Sequence, residues 1–432
     1  MDEFVNFITL SDPNTRYVVL GVMLMSAGAA VLGCFTFLRK KALIGDAIAH
    51  AVLPGVCIAF ILSGEKNPIV LLLGAFVTGW FSVYAVGFIK KNSRLKEDSA
   101  IGLVLSVFFG IGILLLTYIQ HSGNASQSGL DSFIFGKAAS LVSTDVYVFG
   151  TVAVLLILAV FFLYKEFMLI SFDEHYAASI GFPVKKLEFV LTTLTVLAVI
   201  VGIQAIGVVL MAAMLITPAA AARFWTDRLP LMLLLSAIIG IVSGIGGSFV
   251  SYTVSGMPTG PWIVMFISFI ALISFMFAPQ KGLAYRWYER RKHKSIIMEE
   301  NILKAFYQLG EQDELFFKER TVLELSDKRG YPLSLINRWF SKLVRRGYLI
   351  VNNNNSYVLT EAGKVKGQRV TKLHRLWEMY LTEYLRLDPD HVHDDAENIE
   401  HIITPEIEKK LEEQLRYPNR DPHDSHIPYR KL

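Results

Sequence analysis

The sequence predicts an all-α polytopic membrane bundle of eight or nine transmembrane helices, joined to a C-terminal α+β winged-helix domain and a further helical domain. Three observations predict it. The 432 residues are 53% hydrophobic and only 19% charged, whereas soluble chains carry about 25% charged residues. The charge is unevenly spread: residues 1–285 hold 30 Asp, Glu, Lys and Arg, and residues 286–432 hold 50. Apolar runs of the roughly 20 residues needed to cross a bilayer recur through the first part and stop near residue 278. Together these exclude a single soluble enzyme. The net charge of +4 identifies no partner, because each part is close to balanced.

The N-terminus, MDEFVNFITLSDPN, has no basic region before its first apolar run, so no cleavable signal peptide is expected. Candidate spans are 17–38, 42–62, 69–89, 100–119, 145–164, 188–204, 206–222, 230–251 and 260–278. Basic clusters set their orientation. Arg39, Lys40 and Lys41, then Lys90, Lys91, Arg94 and Lys96, then Lys165, Lys185 and Lys186, then Arg223 and Arg228, and finally Lys281, Arg286, Arg290, Arg291 and Lys292 all fall on one side if the C-terminus is cytoplasmic. The loops 120–144 and 252–259 are then external. The run 188–222 is long enough for one span, but a hairpin near Gly202–Gly207 is what keeps Arg223 inside. Small residues such as those of 26–30 and 243–248 let helix backbones approach closely. Cys34 and Cys57 lie in apolar runs without CxxC spacing and read as buried hydrophobes.

Ionisable groups are nearly absent from the spans. Asp46 and His50, in GDAIAHAVLPG of the second span, are the exceptions, and such groups mark functional sites by default. At i and i+4 they share one helix face. A carboxylate oxygen with an imidazole nitrogen suits a divalent transition metal; the alternatives are a buried Asp–His hydrogen bond that fixes packing, and an Asp46 that is merely interfacial, five residues (about 7 Å) from Lys41. Two ligands do not complete a metal shell, but two such helices in a dimer offer four. Pro54 and Gly55 follow directly and are expected to kink the helix. The loop KEFMLISFDEHYAASIGFPVKKL (165–187) is expected to hold a short helix from Asp173 to Ile180, closed by Gly181 and Pro183, suited to docking a partner or to being an ordinary surface loop.

Beyond a basic juxtamembrane linker (286–298), suited to an anionic lipid surface, the pattern becomes soluble. Helices are expected at Glu299–Leu309, about Lys318–Lys328 and Leu333 to about Arg346, followed by strands at Tyr348–Val351 and Tyr357–Leu359 around an Asn352–Asn355 turn. That is a winged helix-turn-helix over 299–366. Asn337, Arg338, Lys342, Arg345 and Arg346 give its third helix a basic face, either a candidate DNA contact or a solvated surface. In 367–432, His374 and Glu378 are i, i+4, His393 is expected in a turn, and Glu397, Glu400 and His401 are expected on one helix face. Three His and three Glu at these spacings can ligate one or two divalent cations; a charged surface helix is the alternative.

The run Arg39–His50 with Leu53–Gly55, the loop Phe172–Gly181 and the apolar motif Gly207–Ala219 resemble the permease subunits of metal-type ABC importers (manganese, zinc or iron) over roughly residues 10–285. The resemblance implies that 1–285 is a transmembrane permease domain with Asp46 and His50 in the translocation path. It implies that Phe172, Asp173, Glu174, Ala177, Ala178 and Gly181 form the segment that contacts a separate ATPase. It also implies a second permease subunit, of the same or a homologous chain, and an extracytoplasmic solute-binding protein that delivers the metal. The chain fits this division of labour: it has no G-x-x-x-x-G-K-[ST] phosphate loop, since Gly136 and Lys137 are followed by Ala138.

His374–Glu378, Val392–His401 and Tyr417–His423 resemble the metal-sensing and dimerisation domain of manganese- and iron-dependent repressors. That implies a main metal site at Glu397, Glu400 and His401, with His374, Glu378 and His393 as accompanying ligands. The first helix of those repressors supplies further ligands, often acidic; here Asn301 and Lys304 stand at the matching positions.

The expected function is therefore the non-enzymatic permease of an ATP-driven importer of divalent transition metal, Mn2+ ahead of Zn2+ or Fe2+, in the cell membrane. A cytoplasmic repressor-like domain would sense the same metal, and no resident cofactor is expected. The alternative is a membrane-tethered, metal-responsive DNA-binding regulator, which makes nucleic acid the less favoured partner. A secondary transporter is a third class, and it would have no use for a coupling segment.

Overall fold

Polar caps and prolines set where the membrane helices start. In the computed structural model, the Asp12 carboxylate accepts from the Thr15 amide at 2.9 Å and Pro13 occupies the first turn of α1 (Pro13–Leu38), a position where its missing N–H is harmless. The described residues are 6–7, 9–65, 67–121, 136, 141–254, 257–352, 356–389 and 392–429. Most of the expected 120–144 external loop, and Asn353–Asn355 of the expected turn, lie outside them. The chain divides into two compact units, Met1–Arg286 and Trp287–Leu432.

In the first unit α1 is followed by α2 (Ile44–Ser63), α3 (Pro68–Asn92), α4 (Glu97–His121), α5 (Ser143–Phe162), the short α6 (Tyr164–Phe172) and α7 (Glu174–Ser179), then α8 (Val184–Ile206), α9 (Val208–Trp225), α10 (Leu229–Thr253) and α11 (Thr259–Phe277). Among the described residues, eight of these are long and apolar enough to cross a membrane, and α9 supplies a shorter apolar helix. The apolar run 188–222 is thus two helices, broken at Gly207 (φ 92°). The Met211 sulfur crowds the position of a Cβ on Gly202, so the chain turns back rather than continuing as one helix.

The helices differ in how much lipid they meet. In the central stretch, 83% of α1 and 78% of α2 is buried, against 22% for α5 and for α11. The outer helices carry exposed Leu114, Phe161, Phe162 and Phe269, as a lipid-facing surface requires. The central pair packs closely: α1 meets α5, α8, α9 and α10, and α2 meets α3 and α4. At the α2–α3 crossing a Cβ on either Gly55 or Gly74 would overlap the other's carbonyl, with Thr78 Oγ1 and Ala59 Cβ also in contact range. Ser236 of α10 adds a hydrogen bond to the Ala30 carbonyl at 2.9 Å.

The second unit contains most of α12 (Leu283–Asp313), then α13 (Val322–Arg329), α14 (Leu333–Arg345), β1 (Leu349–Val351), β2 (Tyr357–Leu359), α15 (Glu361–Glu383), α16 (His393–Ile399) and α17 (Pro405–Gln414). The strands pair antiparallel with Ile350 opposite Val358, and Ile302, Phe306, Leu325, Ile336, Phe340, Leu343 and Leu359 form one core. A second, smaller core of Leu376, Leu411, Leu415 and Ile427 lies between α15, α17 and the C-terminal segment.

Two boundaries differ from the sequence expectation. The first helix is not confined to Glu299–Leu309: α12 takes in the 286–298 segment expected as a linker. Arg291 stacks over Trp287 at 3.7 Å, one turn away, and Ser295 and Glu299 accept from Lys342 and Arg346. These interactions continue the helix where composition suggested only a charged connection. The second helix starts at Val322 rather than about Lys318, because Asp313 draws Lys318 and Arg320 into a turn at 2.9 and 2.8 Å and Thr321 with Glu324 forms a capping box.

Candidate metal sites

Asp46 and His50 lie one turn apart near the start of α2, which is enclosed by α3, α4, α8 and α9. Their Oδ1 and Nε2 atoms are 3.5 Å apart, with the side chains 35% and 17% exposed. The imidazole is held edge-on against Phe109 of α4, centroids 4.9 Å apart. Among the described residues its buried Nδ1 has no hydrogen-bond partner. An unpaired buried polar atom is rare and costs about 1–3 kcal/mol; the nitrogen that faces Asp46 is the other one, Nε2. Pro54 lacks the N–H that would bond the carbonyl of His50, which adds an oxygen acceptor to the same turn. Gly112 of α4 makes room for Pro54, for a Cβ there would come within 2.9 Å of its ring.

The coupling residues form a compact feature. The Asp173 carboxylate caps α7 by accepting from the Tyr176 amide at 2.8 Å, and the helix ends before Gly181, whose φ of 89° suits glycine. Ala177 is buried beneath it, while Phe172, Tyr176 and Ile180 are exposed and Ala178 also faces out. Sequence reasoning missed the link behind this helix. Arg39, its side chain 6% exposed, bonds Glu188 of α8 at 2.8 Å and approaches Glu174 of α7 at 3.5 Å, and Lys41 pairs with the same Glu188. The turn leading into α2 is thereby tied to α7.

In the second unit the six predicted ligands divide into two groups. His374, Glu378 and His393 come together. His374 Nε2 is 3.0 Å from Glu378 Oε1 and 2.9 Å from His393 Nδ1, and the latter two are 2.9 Å apart. An octahedral ion with bonds of about 2.1 Å separates adjacent ligand atoms by about 3.0 Å. The triangle therefore fits one face of such an ion, and the mixed His/carboxylate set suits a divalent transition metal. The local fold explains it: His374 and Glu378 are one turn apart on α15, and His393 is not in a turn but is the first residue of α16. Helix α15 is pinned to α12 where a Cβ on Gly367 would overlap the Leu303 carbonyl. His374 Nδ1 lies 2.6 Å from Glu400 Oε2, the outer carboxylate that commonly fixes a ligating imidazole. His423, missed from the sequence as a ligand, has Nδ1 3.8 Å from Glu378 Oε2. A cavity of about 830 Å³ is lined by His393 together with Lys304, Glu311, Arg329 and Arg375.

Charge is concentrated here. Burial pushes the Glu378 carboxyl up, but the imidazoles of His374 and His393 outweigh it and bring it down to about 2. Burial likewise pulls His374 down, and its bonds to Glu378 and Glu400 reverse that and leave it above the usual histidine value.

Glu397, Glu400 and His401 are not brought together on one helix face, because α16 ends at Ile399. Each has its own partner. Glu397 pairs with Arg329, Glu400 with Lys304 at 2.7 Å, and His401 with Glu300 at 2.7 Å. No local spacing announces these partners. Burial lowers the Lys304 ammonium from the ordinary lysine value, against the pull of Glu400.

The basic face of α14 is only partly free. Asn337, Arg338 and Arg345 are exposed, but Arg346 pairs with Glu299, while Lys342 bonds Ser295 at 2.5 Å and lies over the Trp339 ring.

Residues 11–278 match the ABC 3 transport family, and residues 360–429 match the iron dependent repressor, metal binding and dimerisation domain. The chain is 43% identical over 382 residues to the manganese transport system membrane protein MntC of Bacillus subtilis, covering 88% of this chain and 87% of that protein. It is 43% identical over 290 residues to the zinc transport system membrane protein TroC of Treponema pallidum, covering 67% of this chain and 97% of that one. Among solved structures, PsaBC from Streptococcus pneumoniae in complex with Fab matches with a TM-score of 0.59 and 31% identity, over 67% of this chain and 99% of the matched chain.

Proposed function

The chain belongs to the ABC 3 transport family and is the multi-pass membrane permease of a metal-ion ABC importer with a repressor-like C-terminal domain, and from that premise we propose how it moves and senses its ion. The transported ion passes Asp46 and His50. The observation that carries this is the pair itself: a carboxylate and an imidazole one turn apart near the start of an enclosed helix, with a buried nitrogen left unpartnered. Two such helices, one from each of two permease subunits, supply four side-chain ligands.

ATP is hydrolysed on a separate subunit that docks on the apolar face of Phe172, Tyr176 and Ile180. Asp173 holds that helix in place, and Arg39 passes its motion to the helix bearing Asp46. An extracytoplasmic solute-binding protein delivers the ion. The basic clusters support a cytoplasmic C-terminal unit. The ion is Mn2+: carboxylates share both candidate sites with imidazoles, and neither Cys34 nor Cys57 is among the ligands proposed for either. In the tail, His374, Glu378 and His393 take up the same ion and report cytoplasmic metal to the transporter. The engagement of Lys342 and Arg346 within the tail argues against DNA as its target.

The test is uptake of radiolabelled Mn2+ by cells or proteoliposomes carrying the whole importer. Asp46→Asn with His50→Ala should abolish uptake while the complex still assembles; intact uptake would remove these residues from the path. His393→Ala should leave initial uptake at low metal intact and raise accumulation at high external metal. Accumulation equal to that of the unaltered protein would end the sensing role.

A further inference from the structure

The six predicted ligands of the tail are enough for two ions, yet the structure gathers only three of them around a common point. We propose that Lys304 is a tethered cation that occupies the second ion's place and limits the tail to one divalent ion. The proposal rests on the reading of His374, Glu378 and His393 as a metal site.

Lys304 is 1% exposed and lies against a carboxylate that is fully buried. Its Nζ reaches both oxygens of Glu400, at 3.0 and 2.7 Å, the two-pronged contact that a bound cation would make. The surroundings are those of a ligand set rather than of an ordinary ion pair. Glu400 Oε1, already bound to Lys304, is 3.5 Å from His401 Nε2. That nitrogen is buried and, among the described residues, has no hydrogen-bond partner; neither has Oδ1 of the buried Asn301. Asn301 stands one turn before Lys304 on α12, on the same face. The lysine thus meets a carboxylate that has an imidazole nitrogen beside it, and an amide oxygen stands one turn along the same helix; the nitrogen and the amide oxygen have no partner among the described residues.

A divalent ion placed there would meet a buried like charge at close range, which strongly disfavours it. With the lysine in place, Glu400 is neutralised without metal. Glu400 Oε2 also accepts from His374 Nδ1 at 2.6 Å, so the lysine fixes the carboxylate that orients the imidazole of the remaining site. The result is a one-ion sensor whose outer support is built into the chain.

The experiment counts Mn2+ bound per chain by equilibrium dialysis and elemental analysis, with the full-length protein in nanodiscs. The unaltered protein should bind one more ion than His393→Ala. Lys304→Glu should bind one more than the unaltered protein, and His401→Ala in that background should remove the gain. If His393→Ala binds as much as the unaltered protein, the metal-site reading fails and this inference with it. If that difference is one but Lys304→Glu gains nothing, the inference alone is overturned. A difference of two between the unaltered protein and His393→Ala overturns it as well. Should Lys304→Glu not fold, Lys304→Met decides: Mn2+ should raise its melting temperature by more than it raises that of the unaltered protein. An equal or smaller rise overturns the proposal.

Discussion

Replacing Glu400 by glutamine keeps the shape of the side chain and removes its charge. Lys304 is then left as a buried ammonium with no counter-charge, 1% exposed. Breaking one partner of a buried pair costs about 3–5 kcal/mol, a large share of the roughly 5–15 kcal/mol that holds a domain folded. At roughly 2–4 °C per kcal/mol for a unit of this size, the tail transition should fall by about 10 °C. Glu400 also receives the His374 Nδ1 proton at 2.6 Å, and losing such an outer carboxylate weakens metal binding by about 10–100-fold. The assay is thermal unfolding of the full-length protein in nanodiscs, with chelator and with Mn2+, alongside a Mn2+ titration. Lys304→Met completes a double-mutant cycle. The double variant should lose much less than the sum of the two single losses, since an apolar side chain then faces a neutral one. Additive losses, or a single-variant shift within a degree or two, would refute the pairing.

Other expectations follow from the same geometry. Phe172→Ser with Tyr176→Ser should leave the permease in the membrane but abolish co-purification of the ATPase, and an undiminished yield of ATPase would rule out that docking face. Gly74→Leu should block the α2–α3 contact and reduce the amount of folded permease, measured by size-exclusion chromatography; a normal profile would mean that the crossing tolerates a side chain. Burial raises Glu408, but its bonds to Lys372 and Arg369 outweigh that and hold it below the usual glutamate value. Its stabilisation is therefore present above about pH 4.5 and is lost as pH falls through the depressed value. Glu408→Gln should flatten the acid loss of tail stability between pH 6 and 3, and an unchanged slope would show that other groups carry it.

Much of the membrane body is legible in the sequence because lipid imposes a simple rule. Spans must be apolar and about 20 residues long, so their edges fall where charge begins, and Arg223 alone argues for the break that the structure places at Gly207. The pairing of His374 with Glu378 is legible for the same local reason, one helical turn. What was not legible depends on chain reversals. Lys304 and Glu400 are 96 residues apart and Arg329 and Glu397 are 68 apart, so neither pair leaves a spacing signal. Reading Glu397, Glu400 and His401 as one face assumed that the helix continued, and it stops at Ile399. The 286–298 segment looked like a linker because its charge is conspicuous, while the Ser295 and Glu299 contacts that make it helical are tertiary.

The triangle of His374, Glu378 and His393 is unevenly enclosed: His374 and Glu378 are 4% and 3% exposed in their side chains, while His393 is 55% exposed. On the proposed reading, two arms of the site are set before the ion arrives and the third is an exposed side chain on the cavity wall. Arrival and departure then require the swing of one imidazole and the exchange of a few waters rather than the opening of a core. The residence time of the ion is set by its own affinity, so occupancy follows the cytoplasmic concentration with little lag and little memory of earlier exposure.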